Sequence, residues 1–247
     1  MVSKKVISDI ISQYSLGGEI EKVKWQITDD ELYISFKNGS KTIAGEIKHP
    51  GNLGLKKGTY GIYDTSKLTK CLNILDGELL MEAKIINDIP SVLNIADTNY
   101  EIRFNLASAG AIEDTDINQI KTPEEESASF DISDEFITRF VKSKNALNDI
   151  EKFTIETRDG FSGDELVFTI GTALGGSAIE FTTDATVKKP FKQIPFSAES
   201  FKEILKANRS YETGKLTVYN EGFIILDFAF EDETTTKYFI IRLQDIN

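Results

Sequence analysis

The chain has 247 residues, of which 40% are apolar and 16 are phenylalanine, so it can bury a sizeable core and intrinsic disorder is excluded as a class. Its formal net charge is −12, which repels polyanions unless cations are gathered locally. A single cysteine and a single histidine exclude an intrachain disulfide, a histidine-based catalytic triad and a multi-histidine metal site.

Ser3 opens the first predicted helix, with Val6, Ile7, Ile10 and Ile11 as its buried stripe and Lys4 and Lys5 off that stripe. Two alternating runs follow, Val23, Trp25 and Ile27, then Leu32, Ile34 and Phe36, with a turn at Asn38-Gly39. His49 precedes Pro50-Gly51 and is expected in a solvated loop; the glycines from Gly54 to Gly61 do not form a phosphate-binding loop. Asp64 opens the second helix, in which Leu68, Cys71, Leu72 and Leu75 form the apolar face and Lys67 and Lys70 lie outside it. Cys71 is therefore expected to be a buried structural thiol.

From Ser108 to Ser127 the chain turns polar and acidic, with Glu113, Asp114, Asp116 and Glu124 to Glu126, and it is read as an interdomain linker. Asp114, Asp116, Asn118 and Glu125 match some oxygen-ligand positions of an EF-hand loop. Gln119 occupies the place of the required glycine and Pro123 lies inside the loop, so no metal is assigned.

Ser133 opens the third helix, with Phe136, Ile137, Phe140 and Val141 inward and Arg139, Lys142 and Lys144 on the remaining face. Asp134 and Glu135 complement the dipole of its first turn and need no further role. Phe153 and Ile155, a turn at Asp159-Gly160, then Leu166, Phe168 and Ile170 repeat the hairpin pattern. Gly171 to Gly176 is glycine-rich but lacks the lysine and hydroxyl that end a phosphate-binding loop. Ser197 opens the fourth helix, with Phe201, Ile204 and Leu205 inward and Lys202, Lys206 and Arg209 outside. Leu216 and Val218, a turn at Glu221-Gly222, Phe223 to Leu226 and a last strand from Tyr238 to Leu243 close the chain.

The four caps lie 61, 69 and 64 residues apart, the spacing of a duplicated helix-and-sheet unit. The four helical stretches together carry net +4 in 50 residues, so the other 197 hold −16. An acidic protein that keeps its helices basic presents a local positive surface. The expected fold is α+β, with antiparallel sheets and helices on one face. Residues 1–107 and 128–247 form two similar domains of two helices each, joined by residues 108–127. No apolar run approaches membrane-spanning length, and Val2 to Lys5 are not followed by a hydrophobic signal core, so a cytoplasmic location is expected. No residue constellation points to catalysis or a cofactor.

The stretch from Tyr60 through Asp64 and Leu68 to Leu75 resembles the second helix, with its preceding strand, of the sliding clamps of T-even-like bacteriophages. The N-terminal Ser-Lys-Lys helix, the acidic linker and the ending Lys237 to Leu243 are similar in order and spacing, although the loop about Gly175 to Lys189 is longer. The resemblance implies the DNA clamp fold: a closed ring of three two-domain subunits, with helices lining the hole and sheets on the rim. It implies a non-enzymatic processivity factor that a clamp-loader ATPase opens and that tethers the replicative polymerase to duplex DNA. Phage clamps also engage the transcription machinery. Carried onto this chain, the DNA-facing cations would be Lys4, Lys5, Lys67, Lys70, Arg139, Lys142, Lys144, Lys202, Lys206 and Arg209, thirty around a trimer. Long flexible side chains that neutralise phosphates without reading bases suit sliding.

The same resemblance implies subunits joined by edge strands, Tyr100 to Leu106 of one against Ser177 to Thr183 of the next. Glu101, Ile102, Arg103 and Phe104 would meet Ala178, Ile179, Glu180 and Phe181. Partner tails would insert apolar side chains near the linker, at Ile117 and Ile120. Two other readings stand beside it. A single-stranded nucleic-acid binder would expose aromatics along a basic groove, whereas the aromatics here fall at inward strand positions; a structural virion or interaction protein would not need basic helix faces.

Overall fold

The computed structural model describes residues 1–159, 164–171 and 176–244. Two compact units divide the chain: Met1–Gly39, Ala44–Ile117 and Glu231–Thr236 in the first, and Ser40–Ile43, Asn118–Phe230 and Lys237–Asn247 in the second.

Along the first unit run β1 (Val2–Ser3), α1 (Lys4–Ser15), β2 (Val23–Ile27), β3 (Glu31–Lys37), β4 (Ile43–Pro50), β5 (Gly58–Ile62), α2 (Thr65–Leu72), β6 (Glu78–Ile86), β7 (Ile89–Ala96) and β8 (Glu101–Asn105). The expected caps are in place. Ser3 accepts from the Lys5 amide and Asp64 from the Lys67 amide, each satisfying a donor that the first helical turn leaves free. Strand order is β4-β3-β2-β5 in one antiparallel sheet and β1-β6-β7-β8 in the other. Strict alternation in β2 buries Val23, Trp25 and Ile27, and Trp25 lies opposite Ile34 on one side and Tyr60 on the other. The two helices pack together and bury Ile7, Ile10, Ile11 and Tyr14 from α1 with Leu68 and Leu72 from α2. Gly61 has a specific reason to be glycine. A Cβ there would lie 2.5 Å from the Ala107 carbonyl, which bridges to this strand.

Two sequence expectations fail here. Cys71 is only half-buried, because the buried line of α2 runs through Thr65, Leu68 and Leu72 and leaves Cys71 at its margin. His49 is no loop residue: it belongs to β4, is 9% exposed, and its Nδ1 lies 2.7 Å from Thr234 Oγ1. Alternation along β4 turns it inward with Ile43 and Ile47. Burial pushes the imidazole below its ordinary pKa of 6.5, with the Asp232 carboxylate opposing that shift. The unfolded chain therefore takes up a proton at a higher pH than the folded one. The stability contributed by neutral His49 is present above about pH 6.5 and lost as pH falls below it. Between about pH 7.5 and pH 5.5 the melting temperature of the natural chain should drop further than that of a His49→Gln variant; equal drops would show that His49 does not carry the effect.

The second unit contains β9 (Ala128–Asp131), α3 (Asp134–Ala146), β10 (Lys152–Asp159), β11 (Asp164–Gly171), β12 (Ala178–Asp184), β13 (Thr186–Val187), β14 (Ile194–Ser197), α4 (Ala198–Ala207), β15 (Thr213–Tyr219), β16 (Phe223–Ala229) and β17 (Thr235–Ile241). Its strand orders are β12-β11-β10-β14 and β13-β9-β15-β16-β17. Ser133 and Ser197 cap α3 and α4 as expected, accepting from the Phe136 and Ser200 amides. The hairpins are also as read: Phe153, Ile155 and Leu166 to Ile170 lie in paired β10 and β11, and Leu216 and Val218 face Leu226 and Ile224. The last strand begins and ends slightly earlier than expected, at Thr235–Ile241. Gly160 of the expected Asp159-Gly160 turn, and residues 172–175 of the glycine-rich stretch, lie outside the described residues.

Phenylalanine dominates this core. Phe140 lies 4.7 Å from Phe201 and 5.0 Å from Phe153, ring centre to ring centre, and Phe136 packs 4.9 Å from Phe168. Phe181 extends the cluster into β12 by stacking on Phe168 at 5.5 Å. Edge-to-face and offset pairs at these separations add to simple area burial. They tie α3 and α4 to the sheet.

Candidate nucleic-acid and subunit interface

On the helices of the first unit, the expected cations differ in their freedom. Lys4 is drawn inward: its ammonium donates to the Leu75 carbonyl, just past the end of α2, and lies 3.9 Å from Asp76. A cation at a helix C-terminus meets unsatisfied carbonyls and the negative end of the dipole, so Lys4 fastens α1 to α2. Lys5 is exposed and pairs with Asp9 one turn on, at 2.7 Å, and that hydrogen bond holds its pKa above the ordinary lysine value. Lys67 and Lys70 are exposed and hold no ion pair among the described residues.

In the second unit Lys144 corrects the sequence reading. It is 2% exposed; its ammonium donates to the Asn148 carbonyl at 2.8 Å and meets Glu199 at 3.2 Å. The reason is tertiary. Lys144 falls on the side of α3 that meets α4, so it bridges the two helices and offers no outward charge. Lys202 is largely covered and pairs with Glu199 at 2.5 Å and Glu203 at 3.5 Å. Burial is the largest single influence and works against its charge, but the hydrogen bonds and negative charges of Glu199 and Glu203 together outweigh it and raise its pKa. Lys206 is exposed and pairs with Glu203 at 2.9 Å. Arg139 is exposed, pairs with Glu135 and donates to the Thr182 carbonyl of β12 at 3.2 Å. Lys142 is exposed and holds no ion pair among the described residues. Arg209, expected on the fourth helix, lies in the turn after it, because α4 ends at Ala207; it donates to the Thr138 hydroxyl of α3 at 3.1 Å, which leaves its charge uncompensated.

The ten cations thus separate into three that serve the packing, Lys4, Lys144 and Lys202, and seven that remain exposed. Of the seven, Lys67, Lys70, Lys142 and Arg209 have no acidic partner among the described residues. Exposed pairs within one helix are weak and readily exchanged for phosphate, so Lys5, Arg139 and Lys206 stay available in a way that Lys144 does not.

Both strands expected at a subunit boundary are terminal in their sheets. β8 pairs only with β7, and β12 only with β11, among the described residues. On β8, Glu101 and Arg103 are exposed and Phe104 is buried, stacking on Tyr63 at 5.9 Å. On β12, Ala178 and Glu180 are exposed, while Ile179 and Phe181 are half-buried on the face that carries Phe181 toward α3. Arg158 of β10 spans β11 to reach Glu180 at 2.8 Å, and this hydrogen bond holds the Glu180 carboxyl below its usual range. Sequence reasoning passed over Arg158. The signal for it was the outward alternation of Glu156 and Arg158 in β10, but its partner lies two strands away.

Ile117 is buried and Ile120 half-buried. Upstream, the start of the predicted linker is held against the first unit by charge: Lys37 meets Glu113 at 2.6 Å and Lys24 meets Asp114 at 2.5 Å. Two of the acids that marked this segment as a linker, Glu113 and Asp114, are therefore engaged.

Helices packed on antiparallel sheets in this order, repeated twice, define the fold of the proliferating cell nuclear antigen clamps. The chain is similar to the crystal structure of this antigen from Entamoeba histolytica, with 16% identity and a TM-score of 0.71 over 98% of this chain and 96% of that one. It is also similar to a chain of the PCNA2–PCNA3 complex from Sulfolobus tokodaii (15% identity, TM-score 0.70, 98% and 97% covered) and to A. fulgidus PCNA bound to the C-terminal region of FEN-1 (13%, 0.73, 100% and 98%). The sequence matches no protein-family model and no curated protein. No helix among the described residues is long and apolar enough to cross a membrane.

Proposed function

We propose that this chain is the subunit of a sliding clamp, a homotrimeric ring that encircles duplex DNA without reading its sequence and tethers a replicative polymerase. The observation that carries the reading is the pairing of a clamp fold over the whole length of the chain with exposed, unneutralised cations on the helices and in the turn after α4 of an otherwise acidic protein. Such cations neutralise phosphates weakly and in number, which permits motion along the duplex, while closure of the ring keeps it there. The protein carries out no chemistry of its own and needs no cofactor; a clamp-loader ATPase opens it. Edge strands β8 and β12 join neighbouring subunits, since a free edge is a template for pairing and this junction covers both of them. The complex of the A. fulgidus clamp with a FEN-1 tail supports capture of partner tails, here near Ile117 and Ile120. The local resemblance around Asp64 supports a bacteriophage origin, action in the cytoplasm of an infected bacterium, and use in late transcription as well as replication. The test is topological: the protein should stay on nicked circular duplex and leave it once the circle is cut.

A further inference from the structure

The outward faces of the two edge strands differ in charge: β8 carries one cation, Arg103, with the Glu101 carboxylate 3.6 Å from it, whereas β12 carries only acids. On β8 the exposed positions are Glu101, Arg103 and Asn105; on β12 the side that meets Arg158 holds Ala178, Glu180, Thr182 and Asp184. The other faces are apolar, with Ile102 and Phe104 on β8 and Ile179 and Phe181 on β12.

The geometry points to one register for β8 of one copy against β12 of a second copy, antiparallel, with Arg103 opposite Glu180. This rests on the ring reading above and specifies its contact. In that register Glu101 lies opposite Thr182 and Asn105 opposite Ala178. On the apolar face Phe104 meets Ile179 and Ile102 meets Phe181. Arg103 extends an existing ladder, because Glu180 already binds Arg158, which also reaches Glu156 at 3.5 Å. The carboxylate has lone pairs for both guanidinium groups.

Every neighbouring register is disfavoured. A slip of two residues one way sets Glu101 opposite Glu180, and the other way sets Glu101 opposite Asp184; like charges directly opposed are destabilising. A slip of one residue turns Arg103 onto the side of Ile179 and Phe181. Larger slips leave fewer residues paired on a five-residue strand. Arg103 therefore selects the register, and Glu101 penalises the alternatives.

The experiment uses the full chain carrying Cys71→Ser. With Asn105→Cys and Ala178→Cys added, mild oxidation should link copies covalently up to a closed trimer, since directly opposed residues bring their Cβ atoms within disulfide reach. Asn105→Cys with Thr182→Cys, four residues out of register, should not link, and it leaves Arg103 and Glu180 in place. Separately, Arg103→Glu should raise the dissociation constant of the assembly about tenfold, and Arg103→Lys should retain most of it. Linking only in the shifted pair, no linking in a protein that solution mass shows to be trimeric, or unchanged assembly in Arg103→Glu would overturn the register and leave the ring reading standing. A natural chain that stays monomeric at high concentration would overturn both.

Discussion

Replacing Lys67, Lys70, Lys142 and Arg209 together by alanine should lower the affinity for a short linear duplex about a hundredfold at low salt and flatten its salt dependence. Each phosphate contact contributes a log–log slope of about −0.9, so removing four should reduce the slope by about 3 to 4 for each subunit engaged. The fold should be unaffected. None of the four holds an ion pair among the described residues, and Arg209 contributes only a hydrogen bond to the Thr138 hydroxyl. The contrast is with Lys144, whose loss would remove a buried bridge to Glu199 and to the Asn148 carbonyl and so damage packing first. Binding by fluorescence anisotropy across a salt series, with thermal melting as the control for folding, separates the two kinds of lysine. Unchanged affinity and slope in the quadruple variant would mean that the helix cations are not the DNA surface.

Phe140→Ala should cost about 3–5 kcal/mol of stability, the range for emptying a large aromatic from a packed core. Its ring is fully buried and sits against Phe153 and Phe201, with Phe181 of β12 at 6.3 Å. Nothing in that cluster is flexible enough to fill the space by a change of rotamer alone, because each neighbour is itself held by further rings. Since β12 is the edge we propose for the contact with a neighbouring subunit, assembly should weaken with stability. Urea unfolding measures the first effect and sedimentation the second. A loss below about 1 kcal/mol would contradict the account of this core.

What the sequence disclosed and what it hid divide along the range of the interactions. Ser3, Asp64, Ser133 and Ser197 were readable because a cap bonds to an amide within three residues of itself. Hairpins such as β10–β11 were readable because alternation is local and strands close in sequence pair most readily. His49 was misread because Pro50-Gly51 signalled a loop, while its burial depends on Thr234, 185 positions away. Lys144 was misread for the same kind of reason. A helical wheel shows that a lysine lies off the apolar stripe, but not that another helix covers it. Cys71 sat next to the stripe and was assigned to it. The terminal position of β8 and β12 rests on which strands pair, a long-range property that no local pattern encodes.

The central claim is that a closed ring, more than affinity, holds the protein on DNA. Incubated with nicked circular duplex and its clamp loader, then passed through gel filtration in high salt, the protein should co-elute with the circle; a single restriction cut should release it. Retention that survives linearisation, or failure to stay on the circle when solution mass shows an intact trimer, would contradict the account.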